Sequence, residues 1–139
     1  FHSVHVLEEI NPKTFSIESF LAEKIHRAID LRRQFAGYEE GSRVFYGAGD
    51  GLPGLIADHF TNAVVVQINT AGIDRYREQI AKIFQEALKT KAFFLDNPKY
   101  REREFLPTFA HEDVPSLVVK ENGLTYELRS EVIQKVGFY

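Results

Sequence analysis

The sequence predicts an α+β domain: a small, mostly antiparallel sheet with two helices. Three observations predict it. Short apolar runs such as Ala63 to Ile68 and Ala92 to Leu95 have the length and the Val and Phe content of strands. Two longer segments repeat their apolar residues at helical spacing. Between the first strands lies a block of glycines, RVFYGAGDGLPGLIADHF, that neither a helix nor a central strand would tolerate. Strands, helix and strands in that order argue for segregated α+β packing rather than a doubly wound sheet.

Val4 to Leu7 alternates around His5 and reads as a short strand, and Asn11-Pro12-Lys13 reads as a turn. Ser16 is positioned as the N-cap of a helix from about Ile17 to Phe35, with Ile17, Leu21, Ile25, Ala28 and Phe35 near one face and Gly37 ending it. Arg43 to Tyr46, Leu55 to Asp58 and Ala63 to Ile68 read as three strands, the second pair joined by Phe60-Thr61-Asn62. A second helix is expected over roughly Ile73 to Leu88, burying Ile73, Tyr76, Ile80, Ile83, Phe84 and Ala87. Asn97 to Glu112 is charged and reads as irregular. Val118 to Lys120 and Leu124 to Leu128 form a hairpin around Glu121-Asn122-Gly123, where Asn-Gly signals a tight turn.

Bulk properties set limits. With 139 residues, 44% of them apolar and 13% aromatic, the chain can bury a core, so disorder is excluded as its main character. A net charge of −3 is not that of a domain gripping nucleic acid by bulk electrostatics, so any RNA contact must be a local patch. There is no cysteine, which rules out disulfides, Cys zinc sites and thiol nucleophiles within these residues and is compatible with a reducing cytosol. No apolar run is long enough to cross a bilayer. Beginning at Phe1 and stopping at Tyr139 without a closing element, the chain reads as a piece of a longer protein.

Within the glycine block, Gly49, Asp50, Gly51, Pro53 and Gly54 read as a shaped strand-to-strand turn, Pro53 fixing its own φ and Asp50 able to bond neighbouring amides. The competing reading is an anion-binding nest of backbone N–H groups. The block is neither a Rossmann fingerprint nor a P-loop, since Leu52 stands at the third glycine position and no Gly-Lys-Ser/Thr occurs. Asp58 reads as another turn-stabilising group. The five histidines, His2, His5, His26, His59 and His111, show no metal-ligand spacing, so no metal is expected. Lys99, Tyr100, Arg101 and Arg103 combine cations with an aromatic ring in a way that can stack on single-stranded RNA, although Glu102 and Glu104 offset the charge. Lys24, Arg27, Arg32 and Arg33 form a second basic group on the first helix.

Arg43, Gly47, Gly49, Asp50, Gly51, Leu52, Pro53, Gly54, Leu55, Ile56 and Asp58 together resemble the central-domain signature of the S-adenosylmethionine-dependent ribosomal RNA methyltransferases that modify cytosine C5 in the large subunit. Gln134-Lys135-Val136-Gly137-Phe138-Tyr139 is similar to the same family's Q-K-T-G-F-F run. The resemblance covers nearly the whole chain and implies a strand-strand-helix-strand-strand domain between an RNA-binding module and a Rossmann-like methyltransferase domain. On that pattern residues 1–14 are a linker or the end of the preceding module, 15–129 the central α+β domain, and 130–139 the start of the methyltransferase domain.

The resemblance further implies that Gln134, Lys135, Gly137 and Phe138 border the S-adenosylmethionine pocket, with the cofactor bound mainly by a domain these residues do not include. It implies a cytoplasmic enzyme with RNA, ribosomal in the family pattern, as partner. Ile133, Val136 and Asp96-Asn97 depart from that pattern, where a glycine, a threonine and Glu-Arg are usual. The family's cytosine chemistry uses a cysteine thiolate, which this chain lacks, so these residues alone are expected not to catalyse it. The alternative is a stand-alone, non-enzymatic nucleic-acid-binding or interaction module. A glycine-rich Rossmann segment in the codons after Tyr139 would separate the two.

Overall fold

A computed structural model describes residues 11–35, 41–108, 113–121 and 123–129. Ser16 opens the first helix, α1 (Ile17–Arg32), its hydroxyl oxygen accepting from the Ser19 amide at 3.3 Å. Leu21, Ile25, Ala28 and Ile29 are its buried stripe. The helix stops at Arg32, three residues short of the expected Phe35, whose ring is 67% exposed and takes no part in the core. The expected strand at Val4–Leu7 and the expected stop at Gly37 lie outside the described residues.

Four strands follow in one sheet, β1 (Ser42–Tyr46), β2 (Leu55–Phe60), β3 (Ala63–Ile68) and β4 (Lys91–Phe94), in the order β1-β2-β3-β4. The first three pair antiparallel, while β4 lies parallel to β3. The crossover between them carries α2 (Ala71–Asp74) and α3 (Arg77–Leu88), as a parallel pair requires a long connection. The expected single helix from Ile73 is thus two helices, broken at Arg75 and Tyr76. A bulge between Arg43 and Phe45 turns both Val44 and Phe45 into the core.

Alternation along the strands divides the buried side chains between two faces. Leu55, Ala57, Val64, Val66 and Ile68 meet Leu21, Ile25 and Ile29 of α1 and Ile80 and Phe84 of α3. Phe84 stands edge-on to Phe45, ring centres 6.3 Å apart; full burial of such a ring contributes ~2–3 kcal/mol. Phe60, Ala63, Val65, Phe93 and Leu95 face the other way, against Val114, Leu117 and Val119. Those last two belong to β5 (Leu117–Glu121), which pairs with β6 (Leu124–Leu128) in a separate antiparallel hairpin. Gly123 in its turn has φ +80; Asn122 lies outside the described residues.

The β2–β3 turn holds that hairpin to the sheet. The Asn62 side chain donates to the Ser116 carbonyl at 2.9 Å and accepts from the Val118 amide at 3.0 Å, while the Thr61 amide donates to the Val118 carbonyl at 2.9 Å. This connection is shorter than the sequence suggests, because β2 runs on through Phe60. Asp58, expected as the last residue of the strand, is therefore followed by His59 and Phe60 in it, and both Asp58 and His59 are buried. The segment 97–112, expected to be irregular, contains a further helix, α4 (Pro98–Arg103). Asn97 caps it by accepting from the Lys99 amide at 3.0 Å, and Pro98 occupies its first turn. That Asn-Pro start was the sequence signal for it.

Candidate functional site

The glycine turn between β1 and β2 begins as one turn of 3-10 helix, Gly47–Asp50. Gly51 follows in the left-handed region at φ +84, and the Leu52 amide returns to the Gly47 carbonyl at 3.0 Å. Leu52 is fully buried beneath it. Gly54 sits at φ +93, where a Cβ would come 2.4 Å from two Thr70 side-chain atoms, so no other residue fits. Thr70 in turn donates its hydroxyl to the Pro53 carbonyl at 3.1 Å, and the Asn69 amide donates to the Gly54 carbonyl at 2.8 Å.

Asp50 closes the turn from inside. Its carboxylate accepts from the Tyr46 amide at 2.6 Å and from both terminal nitrogens of Arg32 at 3.0 and 2.7 Å. Arg32 also donates to the Arg43 and Ala28 carbonyls. The turn's own carboxylate thus occupies the position an external anion would need. Asp58 forms a comparable fork with Arg43, at 2.9 and 3.2 Å across the β1–β2 ladder. Both acids hold structure: the Asp50 carboxylate is taken up by Arg32 and the Tyr46 amide and that of Asp58 by Arg43, rather than left available for acid–base chemistry.

Against this turn α1 leaves an open cleft of about 310 Å³, lined by Lys24, Arg27, Ala28, Leu31 and residues 48–51. The two sequence features meet here: the basic face of the helix and the glycine block. Since Arg32 neutralises Asp50, Lys24 and Arg27 give the cleft a positive rim. Arg33 points elsewhere, to Asp30 and the Ala87 carbonyl.

The residues expected to meet RNA, Lys99, Tyr100, Arg101 and Arg103, fall on α4 but not on one face. Lys99, Tyr100 and Arg103 are exposed, with the Arg103 guanidinium 5.9 Å from the Tyr100 ring centre. Arg101 turns inward and is 1% exposed, which removes it from any RNA-contacting surface. It donates to the Pro107 carbonyl at 2.8 Å, to both Asp74 oxygens at 2.8 and 3.2 Å, and to Asp96 at 3.2 Å. Arg77 completes the network through Asp74 and Asp96, its guanidinium 4.1 Å from the Phe94 ring centre. Asp96 uses its other oxygen to accept the Ile68 amide at 2.8 Å. Two cations and two anions are so paired below the surface. Burial pushes the Asp74 carboxyl up, but the bonds and charges of Arg101 and Arg77 outweigh this and hold it below its ordinary value.

Phe105 was not singled out from the sequence. It follows α4 with φ +55 and is 96% exposed. Gln134, Lys135, Gly137 and Phe138 lie outside the described residues. Among the described residues no group of three His, Cys, Asp or Glu side chains could hold a metal ion, and no helix is long and apolar enough to cross a membrane.

No protein-family model matches the chain. It is 31% identical over 128 residues to the ribosomal RNA large subunit methyltransferase I of Shewanella amazonensis, covering 86% of this chain and 32% of that protein. The like-named protein of Yersinia pestis is 28% identical over 129 residues, covering 87% and 33%. The chain therefore spans about a third of the length of the curated relatives it matches. Among solved structures, a proposed SAM-dependent methyltransferase from Streptococcus mutans superposes on 85% of the chain with a TM-score of 0.59 at 20% identity, using 32% of its own length. A second proposed methyltransferase, solved in complex with SAH, gives a TM-score of 0.60 at 20% identity and 85% coverage, with 31% of its own length. The α+β fold is the one these methyltransferase chains contain as a part.

Proposed function

We propose that this chain is the central domain of a longer S-adenosylmethionine-dependent methyltransferase acting on RNA, with large-subunit ribosomal RNA as substrate and cytosine C5 as the atom modified. The observation that carries the reading is the 31% identity spread over 86% of this chain but only 32% of its relative. In this reading residues 1–14 close a preceding RNA-binding module and residues 130–139 open the catalytic domain. The intact enzyme is cytoplasmic. Gln134, Lys135, Gly137 and Phe138 border its cofactor pocket.

The cofactor supplies the methyl group. The described residues do not fit it: their glycine turn joins two antiparallel strands, opens no long helix and is filled by Asp50. What they contribute is placement. The Arg32–Asp50 fork holds α1 to the β1–β2 turn and the Arg101 network holds α4, so that both helices keep fixed positions. A thiolate nucleophile for cytosine must come from elsewhere, as this chain has no cysteine.

Calorimetry with S-adenosylmethionine tests the reading on this chain and on the intact parent. The parent is expected to bind the cofactor and to methylate large-subunit RNA, and the 139 residues alone to bind none. Tight binding by the 139 residues, or a parent without methyl transfer to RNA, would overturn it.

A further inference from the structure

The end of α4 is capped by hydrogen bonds that require a left-handed residue. The Leu106 amide donates to the Arg101 carbonyl at 2.9 Å and the Phe105 amide to the Glu102 carbonyl at 3.1 Å, the paired bonds of a Schellman motif. Glycine is the usual residue at that left-handed position because it has no Cβ to clash. Here it is phenylalanine, at φ +55. A bulky side chain in this region is a true outlier. Its ring recovers nothing within the fold, being 96% exposed. A strained, fully solvated aromatic weakens the domain twice, through its backbone and through the apolar surface it shows to water.

The surroundings say what the ring meets. On the same short helix Tyr100 is 47% exposed, Arg103 sits over its ring, and Lys99 is exposed beside it. Of the two acids in this segment, Glu104 is drawn back to the Ala71 amide at 3.3 Å, while Glu102 is exposed. The core of a protein interface is depleted of lysine and glutamate, whereas here Lys99 and Glu102 are exposed on the same helix as Tyr100. Isolated rings interleaved with cations instead match single-stranded nucleic acid, where each ring stacks one base and the cations follow the phosphates.

We infer that Phe105 is a base-stacking residue for single-stranded RNA, presented by the α4 cap together with Tyr100, Lys99 and Arg103. The inference rests on the RNA-directed reading above, but its test does not involve the cofactor, so the two can fail separately. Phe105→Gly is the decisive variant because it changes stability and binding in opposite directions. It removes the strain, so the melting temperature of the 139-residue chain rises by about 4 °C. It also removes the ring, so the affinity for a fluorescently labelled single-stranded oligoribonucleotide falls about tenfold at fixed salt. Phe105→Trp keeps the affinity. A duplex RNA of the same composition binds the wild-type chain and Phe105→Gly alike. Lys99→Ala lowers the salt dependence of binding, which Phe105→Gly leaves unchanged. Unchanged oligonucleotide affinity in Phe105→Gly overturns the inference, as does a wild-type chain that binds no single strand. A drop in melting temperature would also overturn it, since the ring would then be packing against protein.

Discussion

Arg32, in the last turn of α1, grips Asp50 in the glycine turn through two parallel N–H···O bonds, while Asp50 also accepts the Tyr46 amide. One carboxylate thus sets the shape of the turn and the position of a helix, with its side chain only 9% exposed. Asp50→Ala would leave the Arg32 guanidinium with carbonyl partners only and free the Tyr46 amide, and we expect a loss of about 2–3 kcal/mol in urea unfolding. The double variant Asp50→Ala/Arg32→Ala should lose less than the sum of the two single variants. Additive losses would mean that the pair is not coupled.

The glycines of the turn are unequal. Gly54→Ala forces a Cβ onto Thr70 at φ +93 and should cost about 3 kcal/mol. Gly49 has no left-handed φ, and its nearest neighbour for a Cβ is 3.7 Å away. Gly49→Ala should therefore stay within about 0.5 kcal/mol of the wild type. Chemical denaturation of the two variants side by side checks the order. Equal effects would show that the turn is not held against Thr70.

Removing Arg101 leaves the partly buried Asp74 and Asp96 with Arg77. Arg101→Ala is expected to destabilise by about 3–5 kcal/mol, and Arg101→Lys should restore little, because an ammonium cannot reproduce the planar fork to both Asp74 oxygens. Near-complete rescue by lysine would show that charge alone, without geometry, holds α4.

Acid should expose the same network. The folded chain holds the Asp74 carboxyl below its ordinary value of 3.8, so the unfolded chain binds that proton more readily. The stability Asp74 contributes is complete above that value and is lost as pH falls below it through the folded value. Asp74→Asn should lower stability at neutral pH and flatten its decline in this acid range. A slope as steep as the wild type's would assign the decline to other carboxylates.

Sequence periodicity reached the sheet and the main helices because those signals are local. Ala63 to Ile68 is apolar at every position but Gln67 and forms β3 with the expected ends, and the Ser16 cap fixed where α1 starts. What failed depends on residues distant in the chain. Lys99 to Glu104 reads as charged and irregular because nothing nearby announces that Arg101 pairs with Asp74, 27 residues earlier. Asp58 reads as a turn-stabilising group because its partner Arg43 lies on the neighbouring strand. The cleft between Lys24, Arg27 and the glycine turn exists only once α1 is laid beside that turn. The exposure of Phe105 follows from how α4 is seated, which the charges of the segment conceal.

The charges of Asp74, Asp96, Arg77 and Arg101 balance as a set, so the four positions act as a single electrostatic unit. A lineage that loses one of them carries an uncompensated ion beneath its surface until a second change removes it. Descendants of this domain should therefore keep all four residues or exchange them in matched pairs.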